Sequence, residues 1–214
     1  MEVTRILAIR HGETAWNVDT RLQGHLDIPL NETGLLQAEH LARALAGREA
    51  IDAIYASDLS RARTTAEAIG QAVGLSVRTH TGLRERHFGL FQGRTFAEVE
   101  TELPEHAFQW RKRVPDWTPP GGGESLLSLH QRIVDTVHEL AAQHTGQQIV
   151  LVAHGGVLDI LYRAATRLDL QAPRTWQLTN TAVNRLLWTP EGLSLVGWSD
   201  TAHLNALAKD ETSL

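Results

Sequence analysis

Leu7-Ala8-Ile9-Arg10-His11-Gly12-Glu13-Thr14-Ala15-Trp16-Asn17 is the stretch whose reading decides the fold. Its apolar start, Ile6 to Ile9, has the form of a strand buried on both faces, the habit of a parallel sheet covered by helices. The run stops abruptly at Arg10-His11-Gly12. Far downstream Ile149-Val150-Leu151-Val152-Ala153 repeats the pattern and ends in His154-Gly155. In open α/β sheets ligands bind beyond the carboxyl ends of strands, so two His-Gly strand ends predict one shared site.

The remaining chain alternates strands and helices around these two segments. Val18 to Pro29 is polar and punctuated by Gly24, a loop over the strand ends. Leu35, Ala38, Ala42 and Leu45 recur at helical spacing, with Asn31 or Thr33 as cap and Gly47 as stop. Ile51 to Ala56 reads as a strand; Ser57 is the expected N-cap of a helix beginning at Asp58 and running to Gly70 or Gly74. Val77 to His80 and Leu83-Arg84-Glu85 are expected to be extended. From Arg94 to Ser125 prolines, glycines and aromatics break the alternation, which predicts an inserted cap of one or two short helices at about 94–124. Leu126, Leu129, Ile133, Val137 and Leu140 then form a helical stripe ending near Gly146. A helix from Val157 to Arg167 and two strands, Ala182 to Trp188 and Ser194 to Trp198, close the chain. Together these predict a three-layer α/β/α sandwich with a mostly parallel mixed sheet, one domain over residues 1–214.

Composition narrows the partners. The 214 residues are 42% hydrophobic and 21% charged, enough for a full core, and the formal charge of -5 argues against nucleic acid or an anionic membrane. Without cysteine there is no disulfide, thiol chemistry or Cys-based metal site. Met1-Glu2-Val3-Thr4-Arg5 lacks the marks of a signal peptide and no run reaches membrane-span length, so the expected compartment is the cytoplasm. Eleven histidines raise a metal site, yet His-x-x-x-His is absent. Gly121-Gly122-Gly123 lacks the Lys-Ser/Thr of a P-loop and reads as a turn. No metal and no cofactor is expected.

Phosphoryl transfer needs an in-line nucleophile, cations around the equatorial oxygens and an acid for the leaving oxygen. His11 can be the nucleophile, and neighbouring guanidiniums would disfavour its protonated form. Arg10 and Arg61 offer planar forks suited to phosphate. His154 would donate to the same oxygens, and Glu85 would be the proton donor. It must then stay protonated near neutral pH beside the phosphate, which the basic limb of the pH-rate profile tests. The bland alternatives are a structural Arg-His pair, a solvated Arg61, and a Glu85 paired with Arg84 or Arg86. Trp16, Trp188 and Trp198 read as core; Trp110 and Trp117 either pack the lid or wall an organic-group pocket.

Four motifs in order resemble the histidine phosphatase superfamily, the phosphoglycerate mutase-like fold. They are Arg10-His11-Gly12-Glu13, Ser57-Asp58-Leu59-Ser60-Arg61-Ala62-Arg63-Thr64-Thr65-Ala66, Leu83-Arg84-Glu85 with Gly89 and Gly93, and Val152-Ala153-His154-Gly155. The resemblance covers nearly the whole chain. It implies that His11 is phosphorylated, that Arg10, Arg61 and His154 make the phosphate pocket, and that Glu85 later activates the acceptor. It also implies substrate contacts at Asn17, Gln23, Gly24 and Gly155, and more weakly at Thr14 and Arg63. Arg63, two residues past Arg61 on a helix, should face elsewhere.

The branch follows from departures. Mutases of this family carry an extra segment after the cap's proline pair, whereas Pro119-Pro120-Gly121-Gly122-Gly123-Glu124-Ser125 runs straight into a helix. They usually have Asn after the second His-Gly; here it is Gly156. Both departures, with Leu22-Gln23-Gly24-His25-Leu26-Asp27-Ile28-Pro29-Leu30, resemble the broad-specificity phosphatases. Trp110-Arg111-Lys112 instead resembles the mutases' carboxylate clamp, and Arg111-Lys112-Arg113 is either a second-anion site or a solvated face. The expectation is a phosphomonoester phosphatase acting on a small phosphorylated metabolite. Its alternatives are a phosphoglycerate mutase, with 2,3-bisphosphoglycerate as cofactor, and a non-catalytic phosphate- or partner-binding module.

Overall fold

The computed structural model describes residues 3–205; Met1-Glu2, the first residues of the expected strand approach, lie outside them. In chain order the first half holds β1 (Thr4–Arg10), α1 (Ala15–Val18), α2 (Glu32–Ala46), β2 (Ala53–Ala56), α3 (Ser60–Val73) and β3 (Val77–Thr79). The cap contributes α4 (Phe96–Glu102) and α5 (Pro104–Arg111). There follow α6 (Leu126–Ala142), β4 (Gln148–Ala153), α7 (Gly155–Thr166), β5 (Val183–Thr189) and β6 (Gly192–Asp200).

The six strands lie in the order β3-β2-β4-β1-β5-β6. Pairings among β3, β2, β4 and β1 are parallel, and β5 and β6 add an antiparallel edge. β1 is buried on both faces because its residues alternate between two cores. Ile6 and Ala8 join the α6 and α7 stripes, including Leu129, Ile133 and Val137; Leu7 and Ile9 join Leu41, Ala62, Ala66 and Ile69 from α2 and α3. A third, aromatic cluster built on Phe88, Phe91, Val99 and Ala107, with Trp110 and Trp117 against it, packs the cap.

Several expected boundaries move. α3 starts at Ser60 with Leu59 at its N-cap position; Ser57 instead accepts the Leu59 N–H at 3.3 Å, while Asp58 is held by Arg84 in a two-bond pair at 2.7 and 2.5 Å. The side chains that would cap a longer helix are thus committed elsewhere. β2 begins at Ala53 rather than Ile51, α6 stops at Ala142 before Gly146, and α7 begins directly after His154. Leu83, expected to open an extended piece, instead ends a 3-10 turn, Thr81–Leu83, capped by His80. Leu35 is 46% exposed and Leu41 takes the core position on α2. Of the tryptophans expected in the core only Trp188 is buried; Trp16 and Trp198 are half-buried. No helix among the described residues is long and apolar enough to cross a membrane.

Candidate active site

The parallel ladder between β1 and β4 ends at Arg10 opposite Ala153, and the His11 N–H bonds to the Ala153 carbonyl at 3.0 Å. The next residue on each strand is the histidine. Their rings stand 5.2 Å apart, centroid to centroid, so the register itself joins the two His-Gly motifs. The His11 ring is fixed by Nδ1, 2.7 Å from the Gly12 carbonyl oxygen. A carbonyl only accepts, so Nδ1 carries the proton and neutral His11 keeps its lone pair on Nε2. Behind it Asn180 Nδ2 donates to the His11 carbonyl at 2.7 Å and Gly12 N–H donates to Thr65 Oγ1 at 3.0 Å. A Cβ at Gly12 would stand 2.5 Å from the Gly34 carbonyl oxygen, which leaves glycine as the residue that fits.

Two guanidiniums flank the imidazole. Arg61, fully buried in the first turn of α3, donates to the Leu26 and Gly24 carbonyls at 2.9 and 2.8 Å and so draws the 22–28 loop over the strand ends. Arg10 donates to the Leu178 carbonyl at 2.5 Å. Among the described residues each keeps a buried Nε without a partner, and both ring nitrogens of His154 are likewise unpartnered. Unpaired buried donors converging on one point are costly unless an anion satisfies them.

Glu85 faces this cluster from the turn after Leu83. Its Oε1 accepts the Arg86 N–H at 2.7 Å and its Oε2 the Gly156 N–H at 3.0 Å. Arg132 of α6 locks the turn, donating to the Gly82 and Arg84 carbonyls at 2.8 and 2.9 Å while pairing with Glu124 at 2.7 Å. Among the described residues Glu85 pairs with neither neighbour: Arg84 holds Asp58, and Arg86 donates from Nε to the Glu124 carbonyl at 2.7 Å and lies 4.7 Å over Trp110. A Cβ at Gly156 would stand 2.2 Å from Glu85 Oε1, and the carboxylate tip is the atom free to yield. Gly156→Ala is therefore expected to displace Glu85 and cut kcat about 10²-fold with little change in KM, since the loss falls on proton transfer. Steady-state kinetics on an alkyl phosphate checks it; an unchanged kcat would show that Glu85 tolerates the shift.

Arg10, His11, Asn17, Gln23, Gly24, Arg61, Glu85 and Gly155 all line one cavity of about 500 Å³. His154 is not among the lining residues, but its ring stands 5.2 Å from that of His11, tilted by 58°. Thr14 is buried below, capping α1 in a reciprocal pair of hydrogen bonds with Asn17, and reaches the cavity through Asn17. Arg63 lies on the outer face of α3 and pairs with Glu67 at 3.5 Å. Arg111 turns outward to Glu100 at 2.5 Å and Lys112 sits 5.5 Å over Phe108, leaving Arg113 as the member of that run in the cavity. Trp110, read from the sequence as lid packing or pocket wall, lines it, and the wall also holds Arg86, Asp159, Arg174 and Gln177, which sequence reasoning did not assign. Arg86 carried a readable signal, a cation beside the candidate acid at the mouth of the glycine-punctuated segment.

The electrostatics favour an anion. Six arginines line the cavity against two carboxylates, Glu85 and Asp159, in a chain whose net charge is -5. Burial lowers Arg61 and Arg86 each to about 10, which still leaves them charged at neutral pH. Burial first, then Arg10 and Arg61, holds His11 well below its ordinary 6.5; burial, Arg61, His11 and Arg10 do the same to His154. In the unfolded chain both take up protons below about pH 6.5 while the folded pair does not, so the unfolded state binds more protons there. Stability is thus whole above that pH and is lost as pH falls toward the folded values. The urea midpoint is expected to drop between about pH 7 and pH 5, and to drop less in His11→Gln. An equal drop in the variant would mean that His11 is charged in the native state.

Among the described residues no group of three or more His, Cys, Asp or Glu is placed to hold a metal ion. Compared with known families, residues 6–201 match the histidine phosphatase superfamily (branch 1). Phosphoglycerate mutase-like protein 4 of Arabidopsis thaliana is 37% identical over 206 residues, 95% of this chain and 88% of that protein. The metal-independent phosphoserine phosphatase of Arabidopsis thaliana is 37% identical over 207 residues, 96% of this chain and 85% of the plant protein. A solved mycobacterial glucosyl-3-phosphoglycerate phosphatase superposes with a TM-score of 0.82 at 34% identity, covering 93% of this chain and 100% of that one.

Proposed function

Because the chain belongs to the histidine phosphatase superfamily (branch 1), we propose that it hydrolyses small organic phosphomonoesters by way of a phosphoryl group carried on His11 Nε2. The chain is a phosphatase by the company of its relatives. The observation that carries the residue roles is the bond from His11 Nδ1 to the Gly12 carbonyl at 2.7 Å, which leaves Nε2 with its lone pair amid the unpartnered donors of Arg10, Arg61 and His154.

In the first step the Nε2 lone pair forms a bond to phosphorus as the P–O bond to the leaving group breaks, and Glu85 gives that oxygen its proton. Arg10, Arg61 and His154 donate to the equatorial oxygens, whose charge they meet without reorganisation. In the second step Glu85, now a carboxylate, takes a proton from water as the water oxygen bonds to phosphorus and the P–N bond breaks. Inorganic phosphate and free His11 result. Both steps run on side chains and water, and we infer a metal-independent reaction; the similar plant protein is a metal-independent phosphoserine phosphatase.

Water, rather than a second hydroxyl acid, is the favoured acceptor on the evidence of Gly156 and the outward turn of Arg111 and Lys112. The test is phosphate release from 4-nitrophenyl phosphate and from 3-phosphoglycerate, with and without 2,3-bisphosphoglycerate. Release without interconversion of phosphoglycerates is expected; interconversion outpacing hydrolysis would make the enzyme a mutase, and silence in both a binding module.

A further inference from the structure

The cavity wall carries charges that the chemistry at His11 does not use. Asp159 lies one turn along α7 from Gly155, on the same helix face as the glycines that touch Arg10 and Glu85, and is 6% exposed. Its Oδ2 accepts from two guanidiniums, Arg163 Nε at 3.0 Å and Arg113 Nη2 at 2.8 Å. Its Oδ1 is buried and has no partner among the described residues. Neither arginine bonds it: Arg163 keeps a buried Nη2 that is itself unpartnered among the described residues, and Arg163 does not line the cavity. Arg113 is pinned to the Leu170 carbonyl at 2.6 Å, and Arg163 to the Asp169 carbonyl at 2.5 Å with its plane 4.8 Å from the Trp176 ring. On the same cavity wall Arg86 keeps a buried Nη2 that is unpartnered among the described residues. A carboxylate with one oxygen saturated and the other bare is a poor resting arrangement but a ready acceptor, and Arg86 supplies a donor to go with it.

We propose that Asp159 Oδ1 is a specificity-determining acceptor, taking a hydrogen bond from an ammonium or hydroxyl group on the carbon skeleton of a phosphomonoester whose second anionic group lies against Arg86. The proposal rests on the phosphatase reading above and adds the substrate class: a phosphorylated acid with a hydrogen-bond donor beside its carboxylate.

Three probes share the phosphate and the carboxylate and differ only in the donor: O-phosphoserine has an ammonium, 3-phosphoglycerate a hydroxyl and 3-phosphonooxypropanoate neither. In the unmodified enzyme kcat/KM for one or both donor-bearing probes is expected to exceed that of the third by about 10- to 100-fold, the worth of one hydrogen bond to a charged group. Whichever probe leads identifies the donor as ammonium or hydroxyl. In Asp159→Asn the amide oxygen stays with Arg113 and Arg163 and an NH₂ turns to the substrate, so the ratio is expected to fall to about one. Equal kcat/KM for all three probes in the unmodified enzyme would overturn the proposal even if the variant fails to fold, as would a preference that survives in the variant. With 4-nitrophenyl phosphate still hydrolysed, those outcomes remove the subsite alone. No phosphate from any of the four compounds would remove the phosphatase reading and the subsite with it.

Discussion

His11→Ala is expected to lower phosphate release from every phosphomonoester by at least about 10⁴-fold, because the nucleophile and its in-line placement vanish together. His154 cannot stand in. In the proposed step it donates to an equatorial oxygen rather than attacking in line, and its ring stands 5.2 Å from the lost one, centroid to centroid. A second signature separates loss of the nucleophile from general damage. Phosphohistidine survives alkali, so a radiolabelled substrate quenched in base should leave label on the unmodified enzyme and none on the variant. Label retained by His11→Ala would place the covalent step on another side chain.

Glu85→Gln should be nearly as severe, but unevenly so. With an alkyl phosphate, whose alkoxide needs a proton to leave, kcat/KM is expected to fall by about 10²- to 10⁴-fold. With 4-nitrophenyl phosphate it should fall far less, since nitrophenolate departs without help and kcat/KM reports only the transfer to His11. The second step still needs a base. The variant is therefore expected to release a burst of nitrophenol close to one per active site and then stall as phosphoenzyme. An equal fall for both leaving groups, with no burst, would deny Glu85 the transfer of protons and leave it a merely structural ligand of the Arg86 and Gly156 N–H groups.

What was legible in the sequence was local. Ile6 to Ile9 and Ile149 to Ala153 are runs that only a strand covered on both sides can bury, and the layered fold follows from them. Leu126, Leu129, Ile133, Val137 and Leu140 announced α6, and all five are buried. Arg10, His11, Arg61, Glu85 and His154 lie within motifs that are readable without geometry. The rest depended on long-range partners that periodicity does not encode. Ser57 has the chemistry of an N-cap, yet Asp58 is drawn off by Arg84, 26 residues away, and α3 begins later. Arg132 holds the acid's turn across 48 residues. The wall made by Arg86, Arg113, Asp159 and Arg174 gathers four separate segments, and Asp159 and Arg174 by themselves read as ordinary surface charges.

The cap has its own aromatic cluster, apart from the two cores that flank the sheet. The position of His11 owes nothing to it, being fixed by the pairing of Arg10 with Ala153. Deleting one residue within β1 would slide His11 about 3.3 Å along the sheet and exchange the sets of residues it shows to the two layers. Changes of length are thus tolerated between strands and forbidden within them. In a lineage built on this plan the choice of leaving group can drift with the insert while the phosphorus-binding point stays still, so divergence in substrate should run ahead of divergence in reaction.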